Sequence, residues 1–370
     1  MIDVKLKLQP GHVSDHDWMA PSSLRQVFWN VTSACNFRCG ACFSDSGPTA
    51  AGELTTDEAR KTIRDAVAAG VSDFVISGGE PFLRPDLVEL LAYVKQLGAA
   101  SRIATNGTLL SRDLLERLRR DTSVQAFQVS LDTLDPAAYA SVHGAPGELL
   151  GVALDTVRAI REFGYHTTVA SRLSPATLPG LPALLDRAAA EGWATLTIHC
   201  PLHTGRAAGV WPQDDDLLSR LEPVLEHFLA GPKHWVVETT IPWARYHPVI
   251  RGLSGRIRVA CSGCGACRYR LAVHPDGSIT PCICIHQPVA VMGNVRRDEL
   301  GAVFQDSPIA RLMRQPAEYG LCADCGNVEV CGAGCRASAL ALTGRLDGLD
   351  GSCPVRRLRQ QRSAARHDPA

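Results

Sequence analysis

Short apolar segments alternate with amphipathic helical segments through the first two thirds of the chain. The helical segments carry their own boundary signals, such as a capping box between Thr55 and Glu58 and a glycine stop at Gly70. Apolar strands that alternate with helices pair in parallel through right-handed crossovers. Six such units are too few for a closed eight-stranded barrel, so the pattern predicts an α/β fold with a partial (β/α)6 barrel, open on one side. The predicted strands cover 26–31, 74–76, 101–104, 124–130, 166–172 and 195–200, and the predicted helices cover 55–69, 86–97, 111–120, 135–162, 178–191 and 214–230.

The charge balance and the cysteine content limit the class of protein. Basic and acidic residues number 38 each, so the chain lacks an electrostatic footprint for nucleic acid or an anionic membrane. Residues 1–10 alternate charged and apolar side chains, unlike a secretory signal, and no apolar run is long enough to span a bilayer. Fourteen cysteines without an export signal favour metal binding in a reducing compartment over disulfides. We therefore expect a cytoplasmic metalloprotein.

The composition changes beyond the sixth predicted strand. Residues 231–260 contain several glycines and prolines, and from Cys261 the cysteine density rises and hairpin signals such as Pro275-Asp276-Gly277-Ser278 appear. We predict a cap over 1–23, the barrel over 24–235, a bridge over 236–260, a small cysteine-rich α+β domain over 261–355 and a basic tail over 356–370.

Three cysteines follow the first predicted strand with the spacing Cys35-x3-Cys39-x2-Cys42. Three thiols can ligate three corners of a cuboidal iron–sulfur cluster and leave one iron with an open coordination position. The spacing resembles the signature of the radical S-adenosylmethionine (SAM) enzymes, in which SAM chelates that iron and one electron cleaves it to a 5′-deoxyadenosyl radical. The family usually has an aromatic residue where this chain has Ala41, so Phe37 or Phe43 would cover the adenine instead. A zinc loop and three unrelated core cysteines are the alternatives.

Polar residues at the ends of the next predicted strands fit the same resemblance. In Gly78-Gly79-Glu80-Pro81, two glycines allow close backbone approach, and backbone carbonyls plus Glu80 can accept hydrogen bonds from an ammonium group. This element resembles the one that holds the SAM amino group in the family. Thr105 and Asn106 after the third strand, and Ser130 and Asp132 after the fourth, resemble the elements that hold the ribose hydroxyls or the methionyl carboxylate. The alternatives are an ordinary strand–helix turn and helix caps.

The partner of the SAM carboxylate is open. Relatives often place an arginine about a dozen residues beyond the fourth-strand serine, where this chain has His143. His143, Arg172 at the fifth strand, or a hydrogen bond alone would take that role; an arginine is a permanent bidentate partner and a histidine is not. At the sixth strand, His199, His203 and Arg206 lie at the predicted barrel mouth, and Gly205-Arg206-Ala207 resembles a sixth-strand element of the superfamily. We assign no catalytic residue among them.

The C-terminal cysteines form a seven-position pattern. Cys267-x9-Gly277-x4-Cys282 is followed by Cys322-x2-Cys325-x5-Cys331-x3-Cys335 and then by Cys353. This pattern resembles the SPASM domain, which adds two auxiliary four-iron clusters to radical SAM cores; a zinc ribbon is the alternative. The resemblance implies one ligand set of Cys261, Cys267, Cys282 and Cys335 and a second set of Cys322, Cys325, Cys331 and Cys353. Cys264 is spaced to replace either Cys261 or Cys267, and we expect Cys284 and Cys200 to be buried structural thiols.

The resemblance implies SAM, three 4Fe–4S clusters and an electron donor of the flavodoxin or ferredoxin type. The segment from Cys331 to Ala337 resembles the haem-pathway decarboxylase and quinone-cofactor branches of the superfamily. We therefore favour an enzyme that abstracts a hydrogen atom from a carboxylated small-molecule biosynthetic intermediate, such as a sugar acid, a nucleoside or a tetrapyrrole side chain. Its reaction would be that of a lyase (decarboxylase) or an oxidoreductase in a cofactor or antibiotic pathway.

Other functions stay open. One is a maturase that crosslinks, epimerises or oxidises a ribosomal peptide; because only 34 residues precede Cys35, we do not expect a fused precursor-recognition domain. A sulfatase-maturating function is disfavoured, since Ile283 stands where those relatives have an aspartate base. A different class is an iron–sulfur protein that only transfers electrons, which would have no use for the Gly-Gly-Glu-Pro element.

Overall fold

The computed structural model describes residues 3–7, 22–199, 202, 204–208, 220–230, 236–239, 258–261, 264–326, 328–351 and 353. Cys200, His203 and the basic tail predicted over 356–370 lie outside these residues.

Six parallel strands stand side by side in chain order and form the core of the sheet. The strands of the described residues are β1 Asp3–Lys7, β2 Gln26–Asn30, β3 Asp73–Ser77, β4 Ala100–Thr105, β5 Val124–Ser130, β6 His166–Arg172, β7 Thr195–His199, β8 Val236–Thr239, β9 Arg258–Cys261, β10 Arg270–Val273, β11 Ser278–Thr280 and β12 Gly293–Asn294. Strands β2 to β7 pair in parallel with their neighbours in sequence, and the sheet does not close. The predicted open, partial (β/α)6 barrel is confirmed.

The described residues form twelve α-helices. They are α1 Thr56–Ala68, α2 Leu87–Gln96, α3 Arg112–Asp121, α4 Pro136–His143, α5 Leu149–Glu162, α6 Leu181–Glu191, α7 Glu222–Ala230, α8 Leu300–Asp306, α9 Pro308–Arg314, α10 Gly320–Ala323, α11 Val328–Cys331 and α12 Arg336–Thr343. The predicted capping box begins α1: Glu58 N donates to Thr55 Oγ1 over 3.3 Å, and Thr55 N donates to Glu58 Oε2 over 2.9 Å. The helical stretch predicted over 135–162 is two helices, because Gly144 adopts a left-handed conformation (φ +57°) that ends α4.

The sheet extends beyond the six parallel strands at both edges. On one side β1 pairs antiparallel with β7 and with β8, and β8 pairs with β9. On the other side β10 pairs in parallel with β2, and β11 and β12 follow it antiparallel. Strands β8 and β9 fall within the stretch predicted as a bridge, and β10 to β12 belong to the cysteine-rich stretch. The two predicted domains thus share one sheet.

Contacts between the barrel and the cysteine-rich part reinforce this shared sheet. Arg296 Nε donates to Glu58 Oε1 over 2.6 Å, which ties the loop after β12 to the first turn of α1. Leu54 N donates to the carbonyl of Pro275 over 2.8 Å. Trp29 and Phe304, one from each part, are both almost fully buried in the same apolar core. Within the described residues, no helix is long and apolar enough to cross a membrane.

Candidate active site

The predicted site residues gather at one edge of the sheet, the carboxyl ends of the parallel strands. The cysteine loop follows β2, and the pairing of Asn30 with Ser77 places the Gly-Gly-Glu-Pro element directly beside it. Ser130 and Arg172 end the next strands, and Arg172 pairs with His199 at the end of β7. In parallel barrels this edge is where chemistry takes place.

Hydrogen bonds close the base of the cysteine loop. Cys35 N donates to Gly47 O over 2.7 Å, and Gly47 N donates to Ser33 O over 3.0 Å. The carboxylate of Glu53 accepts hydrogen bonds from the amide and the hydroxyl of Ser33, over 2.8 and 2.6 Å. The loop between Cys35 and Cys42 is therefore anchored at its entrance, although Glu53 carries no signal in the sequence that identifies this role.

The three loop thiols are free, half-buried and electrostatically coupled. Burial first, and then the negative charge of the neighbouring Cys39 and Cys42 thiolates, raise the pKa of Cys35 to about 11. Burial also raises the pKa of Cys39. At Cys42, burial acts in the same direction, but hydrogen bonds from Ser44 and Ser46 outweigh it and leave the pKa below its ordinary value. Three thiols that disfavour each other's charge in one loop are a donor set suited to a cationic iron–sulfur group, whose binding releases the protons.

The glycines of the Gly-Gly-Glu-Pro element touch the backbone that leads into Cys35. Gly79 N donates to Thr32 O and Glu80 N donates to Ala34 O, both over 2.8 Å. A Cβ on Gly79 would lie 2.0 Å from Ala34 O, and one on Gly78 would lie 2.4 Å from Thr32 O. Only glycine permits this approach, so the element positions the cysteine loop as well as its own backbone.

Glu80 is fully buried and bonds to the end of the next strand. Its carboxylate accepts hydrogen bonds from Thr105 Oγ1 and Asn106 N, each over 2.8 Å, and from Phe82 N over 3.3 Å. Burial raises its pKa to about 7, against the effect of these hydrogen bonds. Pro81 begins a short 3-10 turn at 81–83. In this arrangement Glu80 positions the strand ends, and its direct contact with an ammonium group stays a prediction.

Of the polar residues after β4 and β5, Asn106 contacts the cysteine loop directly. Asn106 Nδ2 donates to Asn36 Oδ1 over 2.8 Å, which links the third-strand element to the loop itself. Ser130 is half-buried at the end of β5. Asp132 is buried and accepts a hydrogen bond from the backbone N–H of Arg172. The sequence reveals the polarity of these positions but not the link through Asn36.

The two candidate partners of the SAM carboxylate both contact protein groups. His143 is fully buried, with Nδ1 3.5 Å from Cys39 Sγ and Nε2 3.2 Å from Asp132 Oδ2. Arg172 Nη1 donates to Ala41 O over 2.7 Å, and Nη2 lies 3.5 Å from Asp132 Oδ2. Arg172 is partly exposed and His143 is not, so Arg172 retains access to a ligand. The carboxylate role of either residue stays a prediction.

The predicted aromatic covers differ in accessibility. Phe37 is buried and meets Tyr139 edge to face, with ring centroids 6.2 Å apart. Phe43 is half-buried and stacks on His286 at 6.3 Å, and His286 in turn lies 4.7 Å from His274. Phe43 therefore has more free surface for an adenine than Phe37 has. No sequence pattern indicates a role for His286, which comes from the cysteine-rich part.

The sixth-strand element clasps the cysteine loop. Arg206 Nε donates to Cys39 O over 2.9 Å, and Arg206 Nη1 contacts Asp45 Oδ1 at 2.5 Å and Ser46 O at 3.0 Å. A Cβ on Gly205 (φ +57°) would lie 2.6 Å from the carbonyl oxygens of Cys42 and Phe43. His199 is half-buried beside Gln128, with 3.3 Å between Nε2 and the amide nitrogen. Arg206 thus holds the loop, whereas His199 lines the inner wall.

The thiols of the cysteine-rich part fall into two electrostatically coupled groups. In the first group, negative charge on neighbouring thiols adds to the effect of burial and raises the pKa of three thiols. Cys264 and Cys282 raise the pKa of Cys267, Cys335 raises that of Cys284, and Cys264 raises that of Cys335. In the second group, Cys353 and Cys325 likewise raise the pKa of Cys322, and Cys353 and Cys322 raise that of Cys331. The first group contains Cys264 and Cys284 beside the predicted Cys267, Cys282 and Cys335, and the second contains the four cysteines of the predicted second set. The ligand sets themselves stay a prediction, and the side chain of Cys261 lies outside the described structure.

Cys284 differs from the expectation of an isolated structural thiol. A hydrogen bond between the thiols of Cys282 and Cys284 holds the pKa of Cys282 well below its ordinary value and raises that of Cys284. Burial raises the pKa of Cys335 to about 12 and that of Cys331 to about 12. Every cysteine whose side chain is described is a free thiol, so both groups have the chemistry required to ligate iron.

An open parallel barrel with a three-thiol loop at its carboxyl edge, joined through its sheet to two further thiol groups, defines a protein built around several metal clusters. Residues 29–191 match the Radical SAM superfamily, and residues 264–326 match SPASM, an iron–sulfur cluster-binding domain. The chain is therefore a radical SAM enzyme with a SPASM domain. Its cofactors are SAM and 4Fe–4S clusters.

Similar proteins come from two branches. The chain is 28% identical over 338 residues to the AdoMet-dependent heme synthase of Methanosarcina barkeri, covering 86% of this chain and 93% of that protein. It is 29% identical over 346 residues to the mycofactocin maturase MftC of Mycobacterium ulcerans, covering 92% and 89%. The crystal structure of Streptococcus suis SuiB bound to S-adenosylmethionine shares the fold, with a TM-score of 0.67 and 18% identity over 90% of this chain and 78% of that one.

Proposed function

We propose that this radical SAM enzyme abstracts a hydrogen atom from a carboxylated small-molecule biosynthetic intermediate, with decarboxylation as the favoured outcome. The observation that carries the radical chemistry is the three-thiol loop held against the Gly-Gly-Glu-Pro backbone. The similarity to a heme synthase along nearly its whole length supports a small-molecule substrate with a carboxylate side chain.

In this proposal Cys35, Cys39 and Cys42 ligate the SAM-binding cluster. Held by these thiols and reduced, the cluster would supply the electron for cleavage of SAM, and the 5′-deoxyadenosyl radical would be the species that takes a hydrogen atom from an unactivated carbon. The backbone at Gly78 and Gly79 lies beside the loop, where its carbonyls would accept hydrogen bonds from a ligand's ammonium group. The protein's own contribution is to orient the substrate and to exclude water from the strand edge.

The polar edge of the barrel interior supports a substrate that accepts hydrogen bonds. On one wall His199 stands with Gln128, and on the opposite edge of the parallel strands His274 lies 3.4 Å from Asn30 through their side-chain nitrogens. His286 is exposed next to His274 and beside Phe43, which directly follows Cys42 in sequence. Both ring nitrogens of buried His274 contact protein groups, Asn30 and Thr280, so the exposed His286 is the imidazole on this side that would donate a hydrogen bond to a substrate carboxylate.

The auxiliary thiol groups would hold two further clusters. We assign Cys267, Cys282 and Cys335 to the first, with a fourth thiol from Cys261 or Cys264, and the set of Cys322, Cys325, Cys331 and Cys353 to the second. Clusters with four protein ligands leave no iron open for substrate, so their role would be to accept or deliver an electron. A flavodoxin or ferredoxin type donor would supply the electron that starts each turnover.

The test combines anaerobic reconstitution with labelled substrates. Protein loaded with iron and sulfide receives SAM and dithionite, alone or with a tetrapyrrole propionate or a uronic-acid nucleoside that carries a 13C carboxyl group. We expect deoxyadenosine in every sample and labelled carbon dioxide with one carboxylated substrate, and neither product from Cys35→Ala. Deoxyadenosine formation by Cys35→Ala at the wild-type rate would refute the assignment of the cluster site.

A peptide maturase is the second candidate, favoured by the similarity to mycofactocin maturase over 92% of this chain. The same assay distinguishes the two functions when the small molecule is replaced by a peptide from the carboxyl-terminal end of a precursor. A mass change in the peptide, with no labelled carbon dioxide from any small molecule, would replace the small-molecule proposal by this one. Absence of deoxyadenosine from fully loaded protein would instead favour simple electron transfer.

A further inference from the structure

The end of helix α4 is fixed to the residues on both sides of Cys39. Arg38 N donates to His143 O over 3.1 Å, and Gly40 N donates to Val142 O over 3.2 Å. Gly144 follows at φ +57°, and a Cβ there would lie 2.6 Å from the carbonyl oxygen of Arg38. The last turn of α4 therefore determines where the middle thiol of the loop stands.

The side chain of His143 continues this contact to the sulfur itself. Nδ1 lies 3.5 Å from Cys39 Sγ, in hydrogen-bonding geometry. Nε2 lies 3.2 Å from Asp132 Oδ2 but is not aligned for a hydrogen bond, so it has no such partner. The ring is fully buried, and it packs against Tyr139 with centroids 4.3 Å apart and against Phe37 at 5.6 Å. Nδ1 is thus the ring nitrogen that the geometry directs to a protein partner.

Cys39 differs from the other two loop thiols in the kind of groups that face it. Cys35 Sγ accepts from the backbone N–H of Phe37 over 3.4 Å, and Cys42 Sγ contacts the Ser44 hydroxyl at 3.4 Å. Cys39 faces the imidazole of His143 and the positive charge of the Arg172 guanidinium. A ligating thiolate is an acceptor only, so the imidazole hydrogen must be on Nδ1 for this bond. N–H donors to cluster sulfur stabilise the reduced, more negative state.

We propose that His143 is a positioning residue for Cys39, and that its Nδ1–H···Sγ bond raises the reduction potential of the SAM-binding cluster. This inference rests on the proposed ligation by Cys39 and deepens it. In this role His143 contacts the sulfur of Cys39 and does not contact the SAM carboxylate. With a higher reduction potential, more of the cluster is reduced by the physiological donor. Without the bond the cluster would be harder to reduce and would cleave SAM less often.

The experiment is a redox titration of the fully loaded enzyme, followed by electron paramagnetic resonance on the signal that changes when SAM is added. A hydrogen bond to a charged acceptor corresponds to about a tenfold change in an equilibrium constant. We therefore expect His143→Leu to lower the ratio of reduced to oxidised cluster about tenfold at a fixed solution potential, or about 59 mV for one electron. His143→Asn, whose amide nitrogen takes the place of Nδ1, should restore most of the difference.

The matched control is His227→Leu, the same substitution at a partly exposed histidine paired with Asp186 on the outer helices. It should leave the potential unchanged. A His143→Leu enzyme with full iron content and the wild-type potential would overturn the inference. If His143→Leu does not load its cluster, His143→Asn and His143→Gln decide, because a glutamine amide nitrogen lies near Nε2 instead; equal potentials in these two variants would overturn it.

The Cys39→Ala variant distinguishes failure of the proposed ligation by Cys39 from failure of the proposed role of His143. If this variant keeps the SAM-responsive signal, the proposed ligation fails, and the inference with it. If it loses that signal while the His143 variants keep the wild-type potential, the ligation stands and only the role of His143 is wrong.

Discussion

Gly79 packs so closely against the backbone before Cys35 that we expect a single added methyl group to destabilise the site. In Gly79→Ala the new Cβ would lie 2.0 Å from Ala34 O, 2.6 Å from Ala34 C and 2.8 Å from Ser33 O. Real Cβ contacts almost never fall under 3.0 Å, so the backbone before Cys35 must move by at least about 1 Å.

That displacement acts on hydrogen bonds at both ends of the contact. It breaks or lengthens the bond from Glu80 N to Ala34 O and the bond from Cys35 N to Gly47 O, which are 2.8 and 2.7 Å long. Overpacking costs about 1–3 kcal/mol, and each weakened bond adds roughly 0.5–1.5 kcal/mol. We expect Gly79→Ala to lower the free energy of unfolding by roughly 2–6 kcal/mol. The displacement also moves Cys35, so the SAM-binding cluster should be lost first.

The assay measures iron and sulfide per chain after anaerobic reconstitution, the SAM-responsive paramagnetic signal and the midpoint of thermal unfolding. Gly79→Ala should lose the signal while the iron of the auxiliary thiol groups remains. The control is Gly151→Ala on α5, where a Cβ meets no atom within 4 Å. That variant should be as stable as the wild type or more stable, by about 0.5–1 kcal/mol of helix propensity. Equal cluster content and equal unfolding midpoints in the two variants would refute the reasoning.

Three further substitutions test other parts of the site. Cys35→Ala should abolish deoxyadenosine formation, measured by chromatography, because two thiols cannot hold the cluster. Cys325→Ala should remove about four iron atoms per chain and lower the unfolding midpoint and product yield more than SAM cleavage; unchanged iron would contradict its role as a ligand. Glu80 has a pKa of about 7 in the folded protein, above its ordinary 4.5, so the folded state keeps a proton that the unfolded chain loses. Wild-type stability should therefore fall relative to Glu80→Gln as pH rises from about 4.5 to 7, by roughly 3 kcal/mol in denaturant unfolding; a pH-independent difference would contradict the raised pKa.

The sequence predicts the parallel core of the fold because its signals are local. Apolar runs such as Phe74-Val75-Ile76, capping boxes and glycine stops each concern a few neighbouring residues, and the order of the strands then follows from right-handed crossovers. The edge strands follow from contacts far apart in the chain. Strand β1 pairs with β7 across nearly 190 residues, and β10 pairs with β2 across more than 240. No local pattern distinguishes such pairings from loops. The stretches predicted as a cap and a bridge therefore contain strands that the sequence does not reveal.

The same limit applies to the site. The cysteine spacings and the polar strand ends identify the cofactor class, which the family match confirms. The direction of each side chain depends on packing that the spacing does not contain. Glu80 turns inward to Thr105, and Arg206 holds the loop backbone. These contacts are tertiary, and a sequence pattern specifies only that a polar residue is present.

The shared sheet connects the cysteine loop to the first auxiliary thiol group. Strand β2 leads directly into the loop of Cys35, and its neighbour β10 runs between Cys267 and the hairpin that reaches Cys282. The distance from the loop thiols to the first auxiliary group is therefore set by a ladder of main-chain hydrogen bonds, and the Glu58–Arg296 ion pair supports it from the outside. The pairing of β2 with β10 thus holds the cysteine loop and the first auxiliary thiol group on one continuous sheet, a connection that no local sequence pattern reveals.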